Sequence, residues 1–284
     1  MNYRALGKTG IRVSEVGVGG HEDKSPKETL SAEQCAAYTT EFDGLIHAMS
    51  PQDRAKIIGR ALDLGINYFD TSLDLETESM GHSLKLLGRR HECVVTLVAG
   101  VMQYMVPDTR YYWAKKAVAQ DIDRGLQLLG SDYFDVCITC MCNMWYGHHM
   151  VEGALDAMAE AKEAGKVRAA GISDHQDGEF LSYVIERYHD RLDMVMYPLS
   201  YVRRTAEVKL LPLLAKYDIG YVAMKPLQRR EAIADPGLRE YAREAGLPPA
   251  AGAIKWVLEH PEVSVALAAV NSLDEIEENA KGSV

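Results

Sequence analysis

The feature that most constrains the fold is a unit that recurs along the chain. In this unit, a short apolar run rich in β-branched residues is followed by a segment with helical periodicity. In Asp53–Leu64, for example, apolar residues fall at positions 57, 58, 61, 62 and 64, which is one face of a helix. Strands that alternate with amphipathic helices are typical of a parallel sheet. Eight such runs predict strands over Glu15–Gly20, Ile66–Ser72, Cys93–Gly100, Phe134–Cys142, Val167–Asp174, Leu192–Leu199, Gly220–Leu227 and Val263–Val270.

Eight strand–helix units predict an α/β fold, a closed (β/α)8 TIM barrel that forms one domain over residues 1–284. A doubly wound open sheet is the structural alternative. The segment Tyr3–Ser14 predicts a short N-terminal β-hairpin ahead of the first barrel strand. Further helices are predicted over Trp113–Leu129, Val151–Ala164, Gly178–His189, Val208–Tyr217 and Ala250–Glu259, with left-handed helix ends at Gly65, Gly130, Gly165 and Gly220.

The composition favours a small-molecule partner over a polyanion or a membrane. The chain has 31 Lys and Arg against 41 Asp and Glu, a net charge of −10, which disfavours nucleic acid and anionic lipid as partners. No stretch approaches the roughly 18 apolar residues of a membrane-spanning helix. The five cysteines are an odd number in a long chain, which indicates reduced thiols and a cytoplasmic location. The oligomeric state stays open.

In a barrel of this kind, the chemistry is expected at the carboxyl ends of the strands and in the loops that follow them. These positions carry carboxylates, imidazoles, thiols and an amine. In chain order they are His21, Glu22, Asp23, Asp70, Asp74, Glu76, Val98, Cys140, Cys142, Ser173, Asp174, His175, Met196, Tyr197, Met224 and Lys225.

Six short segments share their order and spacing with the motifs of one enzyme family: Tyr3–Gly20 (YRALGKTGIRVSEVGVGG), Gly65–Ser72 (GINYFDTS), Leu126–Val136 (LQLLGSDYFDV), Gly165–Asp174 (GKVRAAGISD), Ala223–Leu227 (AMKPL) and Glu277–Asn279 (EEN). That family is the aldo-keto reductases, which the chain resembles along almost its whole length. The resemblance implies a (β/α)8 barrel that, in most relatives, binds a nicotinamide cofactor across the strand ends and transfers hydride to a carbonyl.

The resemblance implies a catalytic tetrad of which the aspartate alone is retained, as Asp70. In the family a tyrosine donates the proton, a lysine lowers the pKa of that tyrosine, the aspartate holds the lysine, and a histidine orients the substrate. By register, the place of the tyrosine falls at Asp74 and Leu75, that of the lysine at Val98, and that of the histidine at Cys140. An atypical member of the family is therefore predicted.

The loss of the lysine changes what is expected of Asp70. A carboxylate at a partly buried site needs a new cation or a raised pKa. Lys225, a histidine or a bound metal could supply the positive charge. Asp70 is then either a general acid or base, or a hydrogen-bonded relic of the ancestral site.

The cofactor positions implied by the resemblance have also changed. Ser173 matches a group that bonds the nicotinamide carboxamide, but its usual asparagine partner is Asp174. The glutamine of the sixth barrel strand and the aromatic residue that stacks on the nicotinamide fall at Met196 and Met224.

The segment Leu267–Asn279 occupies the place of the basic clamp for the 2′-phosphate in relatives, and its key positions read Ala269, Asn271 and Glu275. A phosphate facing Glu275 is repelled rather than paired. If a dinucleotide binds, NAD(H) is therefore expected in preference to NADP(H). The predicted cofactor-binding residues are Ser173, Asp174, Asn271 and Asn279.

A thiol pair stands near the end of the fourth barrel strand. Cys140 and Cys142 are two residues apart, so both side chains point to one face of the sheet. Together with His21 and His175 they could bind zinc or another divalent metal. A reactive thiol pair and inert packing are the alternatives.

Two loops add candidate residues for substrate binding. His21 and Glu22 open a loop of about 30 residues, far above the usual length, and such loops act as lids or binding loops. Trp145 and Tyr146 lie after the fourth barrel strand, where aromatic rings suit stacking on a sugar. The predicted substrate-binding residues are Glu22, Trp145, Tyr146, Tyr197 and Lys225.

The sequence therefore favours an enzyme that acts on a small polar, carbohydrate-like molecule. Proton transfer by Asp70, Asp74, His21 or His175, with or without a metal, would carry the reaction, whose class stays open. One alternative is an NAD(H) reductase in which Asp74 or Tyr197 replaces the tyrosine and Cys140 replaces the histidine. Another is a binding barrel without turnover.

Overall fold

The computed structural model describes residues 1–19, 50–100, 110–140, 148–176 and 178–283. Eight strands in these ranges form a closed barrel of parallel neighbours, in the order β10-β3-β4-β5-β6-β7-β8-β9. The remaining two strands, β1 and β2, pair antiparallel in a hairpin. The strands are β1 (Tyr3–Ala5), β2 (Arg12–Ser14), β3 (Val16–Gly19), β4 (Tyr68–Thr71), β5 (Val94–Ala99), β6 (Phe134–Cys140), β7 (Val167–Ser173), β8 (Met194–Pro198), β9 (Gly220–Met224) and β10 (Val263–Ala269).

Helices connect successive barrel strands. Within the described ranges, no helix combines the length and the apolar character needed to cross a bilayer. The helices are α1 (Pro51–Asp63), α2 (Asp74–Leu87), α3 (Arg110–Leu129), α4 (His148–Glu163), α5 (Glu179–Tyr188), α6 (Thr205–Lys209), α7 (Leu211–Tyr217), α8 (Glu231–Ala234), α9 (Pro236–Glu244), α10 (Pro249–Leu258) and α11 (Leu273–Ala280).

Alternate residues of the barrel strands pack on opposite faces. One set forms the layer between the barrel and the helices, and it includes Phe69, Cys137 and Tyr197. The other set fills the barrel interior and consists of Tyr68, Val94, Val136, Ile138, Ala169, Met194, Met196, Val222, Met224, Val265 and Leu267, with Val98 packed against it.

The hairpin closes the amino-terminal end of the barrel. Leu6, Ile11 and Val13 pack into the interior cluster. The backbone N–H of Ser14 donates to the side-chain oxygen of Asn67, just before β4, at 2.7 Å. Since one end is plugged, a ligand has access to the interior from the carboxyl ends of the strands.

The structure confirms the predicted barrel, the N-terminal hairpin and all eight barrel strands. It also confirms left-handed backbone conformations at Gly65, Gly130 and Gly165. The prediction for Gly220 is wrong, because this residue begins β9 and Asp218 adopts the left-handed conformation instead. Glycine is required at 220 for a different reason: an added Cβ would lie 2.7 Å from the side chain of Leu6.

The single helix predicted over Val208–Tyr217 is two helices, α6 and α7, which meet at Leu210. Pro212 explains the break, because proline lacks an N–H and its ring clashes with the carbonyl four residues earlier. Such a residue is tolerated in the first turn of a helix, where α7 places it.

Candidate active site

Asp70 lies near the carboxyl end of β4, where it pairs in register with Thr96 of β5. Its side chain is buried, and its Oδ2 atom accepts a hydrogen bond from the Ser72 hydroxyl at 3.2 Å. The alternation along β4 places the carboxylate on the interior face, like Tyr68 two residues earlier. The retained acid is therefore at the barrel mouth.

Tyr68 is a phenol that lies deeper in the barrel than Asp70. It is fully buried, and its hydroxyl oxygen accepts a hydrogen bond from the Thr96 hydroxyl at 2.7 Å. Burial, reinforced by the negative charge of Asp70, raises the pKa of Tyr68 far above its usual value. Sequence reasoning missed this residue, although its spacing of two from Asp70 on a strand was the available signal. Its burial keeps it from acting as a proton donor to a ligand at the mouth.

A second polar pair follows the ends of β7 and β9. The side-chain nitrogen Nζ of Lys225 lies 2.8 Å from Nδ1 of His175. Around the closed barrel, β7 and β9 are each three strands away from β4, so the strand ends that carry this pair lie across the barrel from the strand that carries Asp70. The structure thus brings together two residues that the sequence proposed separately.

The loop that carries His175 is held by polar contacts on both sides. Oδ1 of Asp174 accepts hydrogen bonds from the backbone N–H groups of His175 and Gln176, at 2.7 and 3.1 Å. The Arg203 guanidinium donates to the carbonyl oxygens of the same two residues, both at 2.7 Å. These bonds fix the backbone from which the imidazole extends.

The backbone at Lys225 is also constrained. It has φ of 59°, a left-handed conformation that costs about 1–2 kcal/mol in a residue with a Cβ. Residues held in such conformations cluster at functional sites. Lys225 directly follows Met224, the last residue of β9, so the strand end and the left-handed backbone together fix where its side chain begins.

Cys140 ends β6 and pairs in register with Ser173 of β7. Its side chain is buried at the same end of the barrel. Burial raises the pKa of Asp174, against the hydrogen bonds from its neighbours, and the nearby Cys140 adds to the increase. In the ranges that the structure describes, no three His, Cys, Asp or Glu side chains cluster closely enough to hold a metal ion. The metal site stays a prediction, since two of its four residues lie outside those ranges.

The positions where the family's lysine, glutamine and stacking aromatic were expected are apolar. Val98 packs against the interior cluster, which contains both Met196 and Met224. The described part of the mouth therefore combines polar groups on β4 and at the ends of β7 and β9 with apolar side chains on β5, β8 and β9.

Two predicted residues lie elsewhere. Asp74 begins α2 with its side chain 54% exposed, and it forms an ion pair with Arg124 of α3 at 3.1 Å. Tyr197 is fully buried between the barrel and the helices, and its hydroxyl donates to the carbonyl of Gln176 at 2.7 Å. Because Met196 faces the interior, the alternation of β8 turns Tyr197 away from it. Its placement argues against the predicted substrate contact and proton-donor role, and gives it a part in holding the His175 loop.

Five predicted site residues lie outside the described ranges: His21, Glu22, Cys142, Trp145 and Tyr146. Their roles in metal binding, proton transfer and substrate binding stay predictions.

Comparison with known proteins decides the family. Residues 39–283 match the Aldo/keto reductase family. The chain belongs to this family. It is 25% identical to L-galactose dehydrogenase of Arabidopsis thaliana over 98% of this chain and 87% of that protein. It is 21% identical to L-glyceraldehyde 3-phosphate reductase of Escherichia coli O157:H7, over 99% of this chain and 87% of that protein.

Solved structures show the same fold. The holo form of an aldo-keto reductase from Bacillus halodurans superposes with a TM-score of 0.72 at 21% identity, covering 99% of this chain and 90% of that one. A crystal structure of an aldo-keto reductase from Pseudomonas aeruginosa gives a TM-score of 0.71 at 19% identity, covering 99% and 94%.

Aldo-keto reductases use nicotinamide cofactors. Ser173 and Asp174 stand where the carboxamide is expected, and both are buried. The buried carboxyl of Asp174 can accept a hydrogen bond from the amide nitrogen of a carboxamide. This part of the site fits a nicotinamide.

The segment expected to meet a 2′-phosphate fits that group poorly. Oε2 of Glu275, in the first turn of α11, accepts a hydrogen bond from the backbone N–H of Asn271 at 2.7 Å. A backbone donor that could serve an anion is therefore already taken by a carboxylate. Asn279 is buried near the end of the same helix. The cofactor roles of Asn271 and Asn279 stay predictions.

Proposed function

We propose that this aldo-keto reductase family member is an enzyme that moves a proton at the carbon next to the carbonyl of a small, sugar-like molecule. The observation that carries the proposal is the contact of 2.8 Å between Lys225 and His175 at the carboxyl ends of the strands. An imidazole is the side chain best suited to proton transfer near neutral pH. Asp70, on the opposite side of the mouth, adds a second acid or base.

The arrangement supports acid–base chemistry because its groups differ in kind and lie on different sides. His175 and Lys225 offer an imidazole and an amine. Asp70 offers a carboxyl group, which accepts a hydrogen bond from Ser72 near the mouth. A substrate held between them meets a positively charged group on one side and a carboxyl group on the other. Such a pair stabilises an enolate oxygen while the adjacent carbon loses its proton.

A polar, hydroxylated substrate fits the same surroundings. The names of two relatives refer to L-galactose and to L-glyceraldehyde 3-phosphate. Both are hydroxylated carbonyl compounds: the first carries several hydroxyls, and the second carries one hydroxyl and a phosphate. Buried polar groups at the mouth discriminate strongly in favour of ligands that complete their hydrogen bonds.

A second candidate is an NAD(H)-dependent carbonyl reductase, favoured by Ser173 and Asp174 at the carboxamide position. When bound, the nicotinamide would supply the hydride. His175 would then deliver the proton to the carbonyl oxygen in place of the tyrosine.

Isotope exchange separates the two candidates. The full chain is incubated in D2O with dihydroxyacetone, L-galactose or L-glyceraldehyde 3-phosphate, without cofactor and with NADH, and NMR follows deuterium at the carbon next to the carbonyl. We expect exchange of at least one compound without cofactor. His175→Gln should slow it by about a hundredfold or more.

His91→Gln is the matched control, because His91 lies before β5 at the opposite end of the barrel with a side chain 79% exposed. It should exchange at the wild-type rate. Carbonyl reduction that requires NADH, without exchange in its absence, would establish the second candidate. Exchange that is equal in wild type and His175→Gln would overturn the proposal, as would no exchange with any compound.

A further inference from the structure

The geometry points to Lys225 as a nucleophile that forms an imine with the carbonyl carbon of the substrate. This inference rests on the proposed function and deepens it, because it states how the enzyme would make the neighbouring carbon acidic. The substrate class is a small hydroxylated aldehyde or ketone. Lysine amines form such bonds when a neighbouring group takes their proton.

The first support is the nature of the contact that the amine makes. An ammonium group has no lone pair, so it must lose a proton before it can attack a carbonyl. Nδ1 of His175 lies 2.8 Å from Nζ, a distance across which an imidazole can take that proton.

The second support is the placement of both partners on constrained backbone. Lys225 starts from a left-handed conformation directly after β9, and His175 extends from a loop whose carbonyls are bound by Arg203. Sites built on rigid strand ends hold reacting atoms more precisely than mobile loops do. Lys225 is half-buried, which limits the orientations of its amine without closing it off.

The reaction balances without an oxidant or a reductant. His175 takes one proton from the ammonium, and the amine then attacks the carbonyl carbon, forming a carbon–nitrogen bond. The oxygen receives the proton from His175 and a second one from the nitrogen, the carbon–oxygen bond breaks, and water leaves. The sum is an ammonium and a carbonyl converted into a protonated imine and water.

A protonated imine withdraws electrons from the adjacent carbon more strongly than a carbonyl does. The proton on that carbon is then easier to remove, which is the step assigned above to the acid–base groups at the mouth. Asp70, on a strand across the barrel, is the carboxyl group that we assign to receive it. Hydrolysis of the imine returns the amine and releases the product.

Reductive trapping tests the inference directly. The full chain is treated with dihydroxyacetone and sodium cyanoborohydride, which reduces a protonated imine to a stable secondary amine, and peptide mass mapping locates the adduct. We expect one adduct per chain, on the peptide that contains Lys225. His175→Gln should slow its formation by about a hundredfold.

Two variants and an internal reference complete the test. Lys225→Met and Lys225→Arg should both lose the adduct. Because arginine retains the positive charge, a purely electrostatic role of Lys225 would leave the isotope exchange of the Lys225→Arg variant intact. Lys56, whose side chain is 68% exposed, reports unspecific labelling of surface amines. Thermal melts confirm that each variant is folded.

Labelling of Lys56 to the same extent as Lys225 would overturn the inference. It would also be overturned if the wild-type protein catalysed isotope exchange but formed no adduct. The latter result would leave the proposed function standing. An adduct on Lys225 without isotope exchange would instead support the imine and refute the proposed function.

Discussion

Asp174 is a buried carboxyl group with 2% of its surface exposed, and its Oδ1 atom accepts two backbone hydrogen bonds. Those bonds favour the carboxylate, but burial disfavours it more strongly, so the pKa of Asp174 is raised. Removing water from the charged form is the larger effect. The residue orders the His175 loop, but its charged form is disfavoured by burial and so lowers the stability of the folded state.

Asp174→Asn should therefore raise the thermal midpoint at about pH 7.5 and change it much less near pH 4. The amide oxygen can keep both backbone hydrogen bonds while the charge is removed. Because the folded state raises the pKa of this group, stability is lost as the pH rises through the folded pKa. Below the unfolded pKa, about 3.8, both states are protonated and nothing is lost. Calorimetric melts at the two pH values measure the difference.

Asp132→Asn is the control, because Asp132 is exposed and its replacement should change stability little at either pH. A variant of Asp174 that is less stable than wild type at about pH 7.5 would contradict the argument. So would a gain of equal size at both pH values.

Single residues were predictable from the sequence more readily than their contacts. The motif register identified Asp70, His175 and Lys225 as candidates, but the last two are 50 positions apart, and no spacing rule joins them. Tyr68 could not be recognised from the sequence, because its burial beneath the mouth is a property of the closed barrel. Tyr197 was a candidate because it lies at a strand end, but which face of β8 it occupies depends on the pairing of β8 with both neighbouring strands.

At the scale of elements, glycines set how closely neighbouring helices pack. A Cβ added at Gly153 of α4 would lie 2.3 Å from the carbonyl oxygen of Tyr111 on α3. A Cβ at Gly81 of α2 would lie equally close to the carbonyl of Leu128, also on α3. Helix α3 thus approaches both neighbours at positions where a side chain does not fit.

Gly153→Ala should destabilise the protein by about 1–3 kcal/mol, because backbone atoms cannot yield as a side chain can. Gly59→Ala is the matched control within helix α1. Its Cβ would meet the flexible Leu87 side chain at 3.2 Å, and alanine favours helix by up to about 1 kcal/mol over glycine. Urea midpoints should fall for the first variant and stay level or rise for the second. A Gly153→Ala variant as stable as wild type would show that α3 and α4 can move apart at little cost.

Elements were the most predictable level, for a physical reason. A strand buried on both faces has to be apolar throughout, so all eight barrel strands stood out as runs in the sequence. The ends of helices and strands were harder to predict where one residue type, such as glycine, serves either a helix end or close packing. Glycine is typical of helix ends, and this predicted a helix end at Gly220. In the structure, glycine is needed there because the hairpin residue Leu6 packs against the start of β9.

At the scale of the whole molecule, the barrel closes where the first and last strands meet. β10 pairs with β3, and the backbone N–H of Ala266 donates to the carbonyl of Glu15 at 2.7 Å. Arg4 of the hairpin spans this junction, donating to the carbonyls of Leu258, His260 and Val263 and to the Glu15 carboxylate, at 2.7–3.1 Å. Sequence reasoning predicted the hairpin, but the bonds from Arg4 to the three carbonyls join residues more than 250 positions apart.

Arg4→Met should lower the stability of the entire barrel rather than loosen the hairpin alone. The change removes the guanidinium donor from three carbonyls and from the buried Glu15 carboxylate, which keeps the hydrogen bond from Ser283, at a cost of about 3 kcal/mol or more. Glu15 makes the cost depend on pH. Although burial opposes it, hydrogen bonds from Ser283 and Arg4 lower the pKa of Glu15. This stabilisation is present above the unfolded pKa, about 4.5, and is lost as the pH falls through the folded pKa.

The deficit of Arg4→Met should therefore be larger at about pH 7 than at about pH 3, and hydrogen exchange should accelerate in β3 and β10 together. Arg12→Met is the control, since Arg12 lies exposed on the second strand of the same hairpin. If only the amides of residues 3–14 lost protection, the hairpin would be an appendage and the barrel would close without it. Coincident loss of protection in both strands would instead place the hairpin inside the cooperative unit, because the pairing of β3 with β10 cannot open without opening the whole ring.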